Sequence, residues 1–419
     1  MLKKLSSEFA FFNSHSKSMK TLLLTNLIYA LVLPIIEMFI GAYIMRNSSD
    51  ISLVVVFQLA LYTGIPLTFM INGFLLNYVH ISKLYSLGML LSGISMSAMM
   101  FLSELDTSGV FAAGLIMGLS YGFFWANRDY LALDTTNDSN RNYYYGIETF
   151  FYTLTFIIIP FTAGVFIATT EKNGWFGGNT NVAYYILTAF VFGFTVIASV
   201  LVHKGGFQNP KKSPFLFFKF HSLWNKMLGL SALKGIAQGY IVTAPVMLIM
   251  ILVGEEGELG IIQSVGALLS AVLLYVLGRT TKPQHRLLVF GFGLALFAIG
   301  AIINASLYSS VGVILFVLCL IFARPLLDIA YFPIQLKVID KVAAIENRNE
   351  FAYIFNHELG LYLGRLFGCG LFILFAWYVS EEAALRYALL IIALVQFTSY
   401  FVARNIVRDR VMNEEIIEN

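Results

Sequence analysis

Charged residues are scarce in this sequence. Asp, Glu, Lys and Arg together make up 12% of its 419 residues, about half the share found in an average soluble domain. A chain of this size needs a mostly polar shell if water surrounds it, so a soluble enzyme and a disordered chain are both excluded. A surplus of either sign is missing too. A formal net charge of +3 gives no field able to hold a polyanion, and no nucleic-acid partner is expected. Cys319 and Cys369 are the two cysteines, both in apolar runs with no CxxC spacing, which argues against a disulfide framework and a metal site. The phosphate-loop pattern G-x-x-x-x-G-K-[ST] is absent, as are HExxH and GxSxG, so ATP is not the driver, no cofactor is expected and the chain is not read as an enzyme. Met1-Leu2-Lys3-Lys4 leads into a polar, aromatic stretch up to Lys20, not into a short apolar core with a cleavage site, so no removable signal peptide is expected.

What remains is apolar. Hydrophobic residues make up 58% of the chain and the mean hydropathy is +0.77, which places the protein in a lipid bilayer. About 20 apolar residues cross the hydrocarbon as a helix, and twelve such runs can be read: 21–45, 52–79, 84–103, 109–127, 143–169, 182–202, 227–253, 259–278, 287–307, 311–335, 350–379 and 384–403. Each must be helical, because an open strand leaves backbone groups unpaired in lipid. The runs at 109–127 and 311–335 shade into amphipathic loops. With the N-terminus inside, 21 of the 27 Lys and Arg fall on the cytoplasmic side, three (Arg46, Lys172, Arg386) on the other and three within spans. That asymmetry puts both termini in the cytoplasm of a multi-pass protein in the cytoplasmic (inner) membrane.

Residues 203–226 form the longest internal polar break and carry five Lys and two Pro. They divide the chain into a bundle over 1–202 and another over 227–419, joined by a cytoplasmic linker. Phe215 to Trp224, mixing Phe, Lys and Trp, suits either a short helix lying at the interface or a solvated connector with aromatic anchors. The halves echo each other: Asn140-Arg141-Asn142 opens the fifth span and Asn347-Arg348-Asn349 the eleventh, while Lys83-Leu84 with Gly88 opens the third and Arg286-Leu287 with Gly291 the ninth. Six spans per half restore the same orientation, so the repeats are parallel, related by an axis along the membrane normal.

Twelve spans, cytoplasmic ends, a basic central loop and two parallel six-helix bundles resemble the major facilitator superfamily over essentially the whole chain. The signature of that family between the second and third spans survives in worn form, with Gly73-Phe74-Leu75-Leu76-Asn77 and Lys83 in place. Asn77 stands where an acid is expected, and Val79 and His80 where Arg and Gly are. This departs from the drug/proton exchangers, in which the motif is well formed. The resemblance implies an all-α integral membrane fold with pseudo-two-fold symmetry. It further implies secondary active transport by alternating access, with the first, fourth, seventh and tenth spans around a central cavity.

Seven ionisable side chains fall inside spans: Glu37, Glu148, Lys234, Arg324, Asp328, Glu358 and Arg365. Each costs about 2.5–3.5 kcal/mol at a helix centre, and such groups normally face a protein interior or a wet pathway. Arg324 and Asp328, four apart, can touch on one helix face, either as a brace or as a gated pair in the cavity. Glu358 and Arg365, two turns apart, form a second couple among recurring glycines that suit close helix packing. No cation in the first span offsets Glu37, which either carries a proton or sits near enough to the outer surface to be hydrated. Counting 100° per residue, Asn26 shares its face. Lys234, four residues before Gln238 in the seventh span, either reaches the inner interface or takes part in gating or an ion pair, and Glu148 has Arg128 and Arg141 as candidate partners at the inner mouth, where it would act as a hinge latch. Trp125 suits a solute with an apolar face and hydroxyls, or an interfacial aromatic belt.

The expected machine is a proton-coupled carrier of a small polar organic solute, working as a monomer. Asn26, Trp125, Gln238, Arg324 and Asp328 would contact the solute, and Glu37 and Glu358 would carry the proton. Arg128, Arg141, Glu148, Arg365 and Lys234 would gate or pair. An exporter of amphipathic compounds, and a membrane sensor or lipid-moving protein, are the rivals.

Overall fold

The computed structural model describes residues 12–136, 140–210 and 214–413. Among the described residues, fourteen helices build the membrane part. The first half holds α1 (Lys17–Ala30), α2 (Leu33–Asn47), α3 (Ser52–Leu75), α4 (Ile81–Met100), α5 (Thr107–Thr135), α6 (Arg141–Lys172) and α7 (Asn181–Val202). The second holds α8 (Ser222–Ile241), α9 (Ala244–Leu252), α10 (Glu256–Thr280), α11 (Arg286–Leu307), α12 (Ser310–Glu346), α13 (Glu350–Tyr378) and α14 (Glu381–Val407).

The first and seventh spans are each broken in two, at matching places. Pro34 sits at the start of α2 and Pro245 at the start of α9. A proline has no N–H to give the preceding turn and is tolerated only in the first turn of a helix, so each span stops and restarts. Taking α1 with α2 and α8 with α9 as single crossings, eleven helices among the described residues are long and apolar enough to span. The twelfth is α4, whose hydropathy is lowered by five serines. These hydroxyls and those of its neighbours bond across helices: Ser95 Oγ donates to Ala113 O at 2.7 Å, Ser120 Oγ to Gly88 O at 2.6 Å and Ser199 Oγ to Ser86 O at 3.0 Å. Polar cross-links of this kind hold helices together where lipid supplies no hydrophobic drive.

Packing repeats between the halves. In the first, α3 and α4 pack on α5, α4 on α7, and α1 on α6 and α7. In the second, α10 and α11 pack on α12, α11 on α14, and α8 on α13 and α14. The halves meet along α6 with α10 and α3 with α13, two contacts that a two-fold axis exchanges. Backbones approach closely at α8 and α13, where a Cβ on Gly364 would collide with the Ala232 carbonyl and the Gly235 backbone.

One expectation is corrected and one open choice is decided. The spans read at 109–127 and 311–335 do not give way to loops, because α5 runs on to Thr135 and α12 to Glu346; their polar final turns carry no helix breaker. Of the two readings of Phe215 to Trp224, the connector with aromatic anchors fits: Phe215–Phe220 is not helical, and helix begins only at Ser222 with His221 as its cap. Pro214 cannot donate into a helix, and the rings are anchored singly, Phe215 between the halves and Phe217 and Phe220 over Arg348.

Candidate functional site

A cavity of about 410 Å³ lies between the halves. From the first half, α2 supplies Glu37, α3 supplies Gln58 and Tyr62, and α5 supplies Tyr121, Trp125 and Asp129. From the second come Val242 and Thr243 at the break of the seventh span, with Glu358 and Arg365 from α13. Glu37 is the one exposed residue in the otherwise buried run 32–40, so its side chain opens onto this internal space. Apolar walls from Ile36, Phe57, Leu61 and Ile354 complete it.

Arg365 organises the second-half side. Its guanidinium donates to Gln238 Oε1 at 2.9 and 3.1 Å and to Glu358 Oε2 at 3.3 Å, and lies 4.6 Å over the Tyr62 ring. The Tyr62 hydroxyl donates to the Gln238 carbonyl at 3.0 Å. A guanidinium stacked on a ring and bound to a carboxylate stays charged at little cost, and here it ties α13 to α8 and to α3 of the other half.

The cavity opens towards the end of the bundle that carries the linker. A second chamber of about 650 Å³ there shares Phe69, Asp129 and Ile354 with the first. Phe215 forms part of its wall, its ring 5.6 Å from Phe74 and 5.7 and 5.8 Å from Phe351 and Phe355. The opposite end is closed. Arg46, at the end of α2, donates to Glu256 at 2.7 Å, Glu171 at 2.8 Å and Glu255 at 2.9 Å, joining the two halves. Tyr184 adds a hydrogen bond to the fully buried Glu256, and Trp377 Nε1 donates to Ser52 Oγ at 2.9 Å. Those three carboxylates offer oxygens within 4.8 Å of one another, and Arg46 already satisfies each of them.

The residues singled out from the sequence divide into three groups. Glu37, Trp125, Glu358 and Arg365 line the cavity, and Gln238 is bonded to Arg365. Arg324 and Asp328 lie close to it but do not pair. Asp328 Oδ1 accepts from Lys234 Nζ at 2.8 Å, while Arg324 Nη2 donates to the Ile241 carbonyl at 2.6 Å. The spacing permits an intrahelical pair, but Lys234 enters from α8, over the Tyr331 and Phe332 rings, and takes the carboxylate first. Nor does Lys234 stretch out to the interface.

Asn26 is corrected most. It is fully buried, donates to Tyr144 Oη at 2.8 Å and Glu148 Oε1 at 2.6 Å, and accepts from the Tyr85 hydroxyl. Its side chain turns into this network while that of Glu37 lines the cavity, on either side of the interruption at Leu31 and Val32 across which the angular count was carried. Glu148 pairs with Arg128 through Nε at 3.1 Å and through Nη2, so Asn26, Tyr144, Glu148 and Arg128 form one buried network between α1, α5 and α6. The Arg141 side chain lies outside the described residues. His357 turns away from its neighbour Glu358, and its Nε2 lies 2.7 Å from the Tyr331 hydroxyl.

Sequence reasoning missed Gln58, Tyr62, Tyr121, Asp129 and Thr243. Gln58 and Tyr62, one turn apart in the apolar run of α3, carried a usable signal; Asp129 lies past the limit of 127 read for the fourth span and was not singled out.

Comparison with known proteins agrees with this architecture. A sequence model of the Major Facilitator Superfamily matches residues 21–369. The chain is 22% identical over 405 residues to the uncharacterised protein YqgE of Bacillus subtilis (strain 168), covering 93% of this chain and 90% of that one. Its fold is similar to that of a bacterial homologue of the iron transporter ferroportin in an inward-facing state, at a TM-score of 0.70 and 14% identity over 94% of this chain and 99% of that one. The nucleoside transporter NupG gives a TM-score of 0.66 at 13% identity over 94% and 100% of the two chains. With a helical bundle of matching halves, a cavity between them and a family match across most of its length, this chain belongs to the major facilitator superfamily.

Proposed function

We propose that the protein is a secondary active transporter that carries a small organic solute by alternating access, coupled to protons. One observation carries this reading: a cavity between the halves holds three carboxylates, Asp129 and the two proton-carrier candidates Glu37 and Glu358, with a route towards the linker end and an inter-half ion cluster closing the other. Rocking of 1–202 against 227–419, with 203–226 as the joint, would break the Arg46 cluster and present the same residues to the far side. The Lys and Arg distribution favours cytoplasmic termini, so the conformation described here would be inward-facing, in the cytoplasmic membrane.

Glu358 is the better placed proton carrier of the two. Among the described residues its one ionic partner is Arg365 at 3.3 Å, and Arg365 is also held by Gln238, so Glu358 can take up a proton without leaving a guanidinium stranded. One charge moved across 100 mV is worth about 2.3 kcal/mol, enough to concentrate a solute roughly 50-fold. The apolar and aromatic walls of both chambers favour a second reading, export of amphipathic compounds.

Purified protein in liposomes with an imposed pH gradient tests the proposal. Solute-dependent proton flux that falls at least about tenfold in Glu358→Gln is the expected result. Flux set off by amphipathic dyes and not by polar solutes moves the reading to export. Silence across a panel of sugars, nucleosides, amino acids, carboxylates and dyes overturns transport.

A further inference from the structure

Of the seven ionisable groups inside the spans, five are settled by partners within the protein. Lys234 holds Asp328, Arg365 holds Glu358, and Glu148 is paired with Arg128 from the end of α5. Glu37 and Arg324 remain. Among the described residues Glu37 has neither a hydrogen bond nor an ion pair, and Arg324 has one bond, to the Ile241 carbonyl. Both are surrounded by protein yet keep accessible surface, so both face internal space. They are near enough to act on each other electrostatically, but no ion pair within 4.0 Å joins them.

They also belong to opposite halves. Glu37 is on α2, and Arg324 is on α12. The Arg324 guanidinium is steadied on the open carbonyl left by the break in the seventh span, next to the cavity-lining Val242 and Thr243. An isolated charge in such a site is costly unless something of opposite sign completes it. An acid on the cavity wall and, across from it, a guanidinium just behind Val242 and Thr243 that lacks a carboxylate within pairing distance, with Asp328 as its nearer electrostatic neighbour, ask for a ligand with both signs, held apart.

We propose that Glu37 and Arg324 form a split site for a zwitterion of the amino-acid or short-peptide kind, its ammonium on Glu37 and its carboxylate on Arg324. The cavity of about 410 Å³ is within the range of small-molecule sites. Ile36, Phe57 and Leu61 beside Glu37 would take an apolar side chain. Arg324 gives the carboxylate a planar, forked donor, the geometry that favours guanidinium over ammonium for this job. Because the two ends of the ligand rest on different halves, binding draws the halves together, which is what closing over a solute requires. The proposal rests on the transporter reading and assigns Glu37 to the solute, leaving the proton to Glu358.

The test uses full-length protein and six probes: phenylalanine and alanyl-phenylalanine, each also as its N-acetyl derivative and its C-terminal amide. Thermal stabilisation gives affinity and competition for flux gives transport. The parent zwitterions should bind roughly 10- to 100-fold tighter than either capped form. Glu37→Gln should erase the difference between parent and N-acetyl form only, and Arg324→Gln the difference between parent and amide only. Capped forms that bind as well as the parents overturn the proposal, as does a Glu37→Gln variant that weakens all six probes equally. If a neutral sugar is carried with proton flux while these probes are ignored, the zwitterion site fails and the transporter reading stands; if nothing in the wider panel is carried, the transporter reading itself is lost.

Discussion

Asp328 has two cations within reach, and its choice of Lys234 over Arg324 decides what each residue is free to do. The Lys234 side chain is 15% exposed and packed over two rings, whereas that of Asp328 is 45% exposed. The pair is lopsided: removing the acid strands a nearly buried ammonium, and the half-wet carboxylate has water as an alternative. Asp328→Asn should therefore destabilise the protein by about 1–3 kcal/mol, the cost of an unsatisfied buried charged donor discounted for solvent. Lys234→Met together with Asp328→Asn should recover most of that loss, since well-packed apolar groups often replace a buried pair at no cost. Thermal unfolding in detergent, run as a double-mutant cycle, reads the coupling directly. Additive losses would show that Lys234 does not depend on Asp328.

At the scale of elements, the glycine kept from the worn family signature has a visible task. A Cβ on Gly73 would lie 2.5 Å from Cζ of Phe215, so the missing side chain is the seat for a ring that the linker places between α3 and α13. Phe215 touches Phe74 in one half and Phe351 and Phe355 in the other. Gly73→Ala should push the ring out and loosen the linker end, changing the apparent transport rate several-fold with little change in stability. In a Phe215→Ala background the same substitution should do almost nothing, because the ring it displaces is gone. Equal effects in both backgrounds would mean that Gly73 acts on something other than Phe215.

Elements also mark where the sequence stopped being informative. The crossings were legible because hydrocarbon thickness fixes their length and unpaired backbone forbids anything but helix. The duplicated halves were legible from the spacing of Asn140-Arg141-Asn142 and Asn347-Arg348-Asn349. Asn26 was misplaced because angular counting assumes an unbroken helix, and Pro34 ends that assumption eight residues later. Its signal was there, since Pro245 occupies the same place in the other half. The partner of Asp328 was not legible at all: spacing along one helix shows which contacts are possible, while the arrival of Lys234 from α8 depends on how helices pack. Gln58 and Tyr62 could have been found as the polar pair in the apolar run of α3.

For the whole molecule, the closed end rests on few bonds, and they can be ranked. Glu255 and Glu171 are 59% and 40% exposed in their side chains, so their bonds to Arg46 contribute little. Glu256 is different, with a fully buried side chain, two bonds from Arg46 and one from Tyr184. A charge-assisted bond of that kind contributes about 1.5–3 kcal/mol, which would bias a two-state equilibrium roughly 10- to 100-fold towards the conformation described here. Arg46→Gln should remove that bias and populate the conformation open at the Arg46 end, while Glu255→Gln should leave the balance nearly unchanged. Spin labels at Asn173 and Ser310, exposed positions beyond the ends of α6 and at the start of α12 in opposite halves, would report it. The expected result is a second, longer distance population in Arg46→Gln alone. A single unshifted distribution in Arg46→Gln, with transport at its normal rate, would mean that the halves are held together at this end by the α6–α10 packing and that the ion cluster is not the latch.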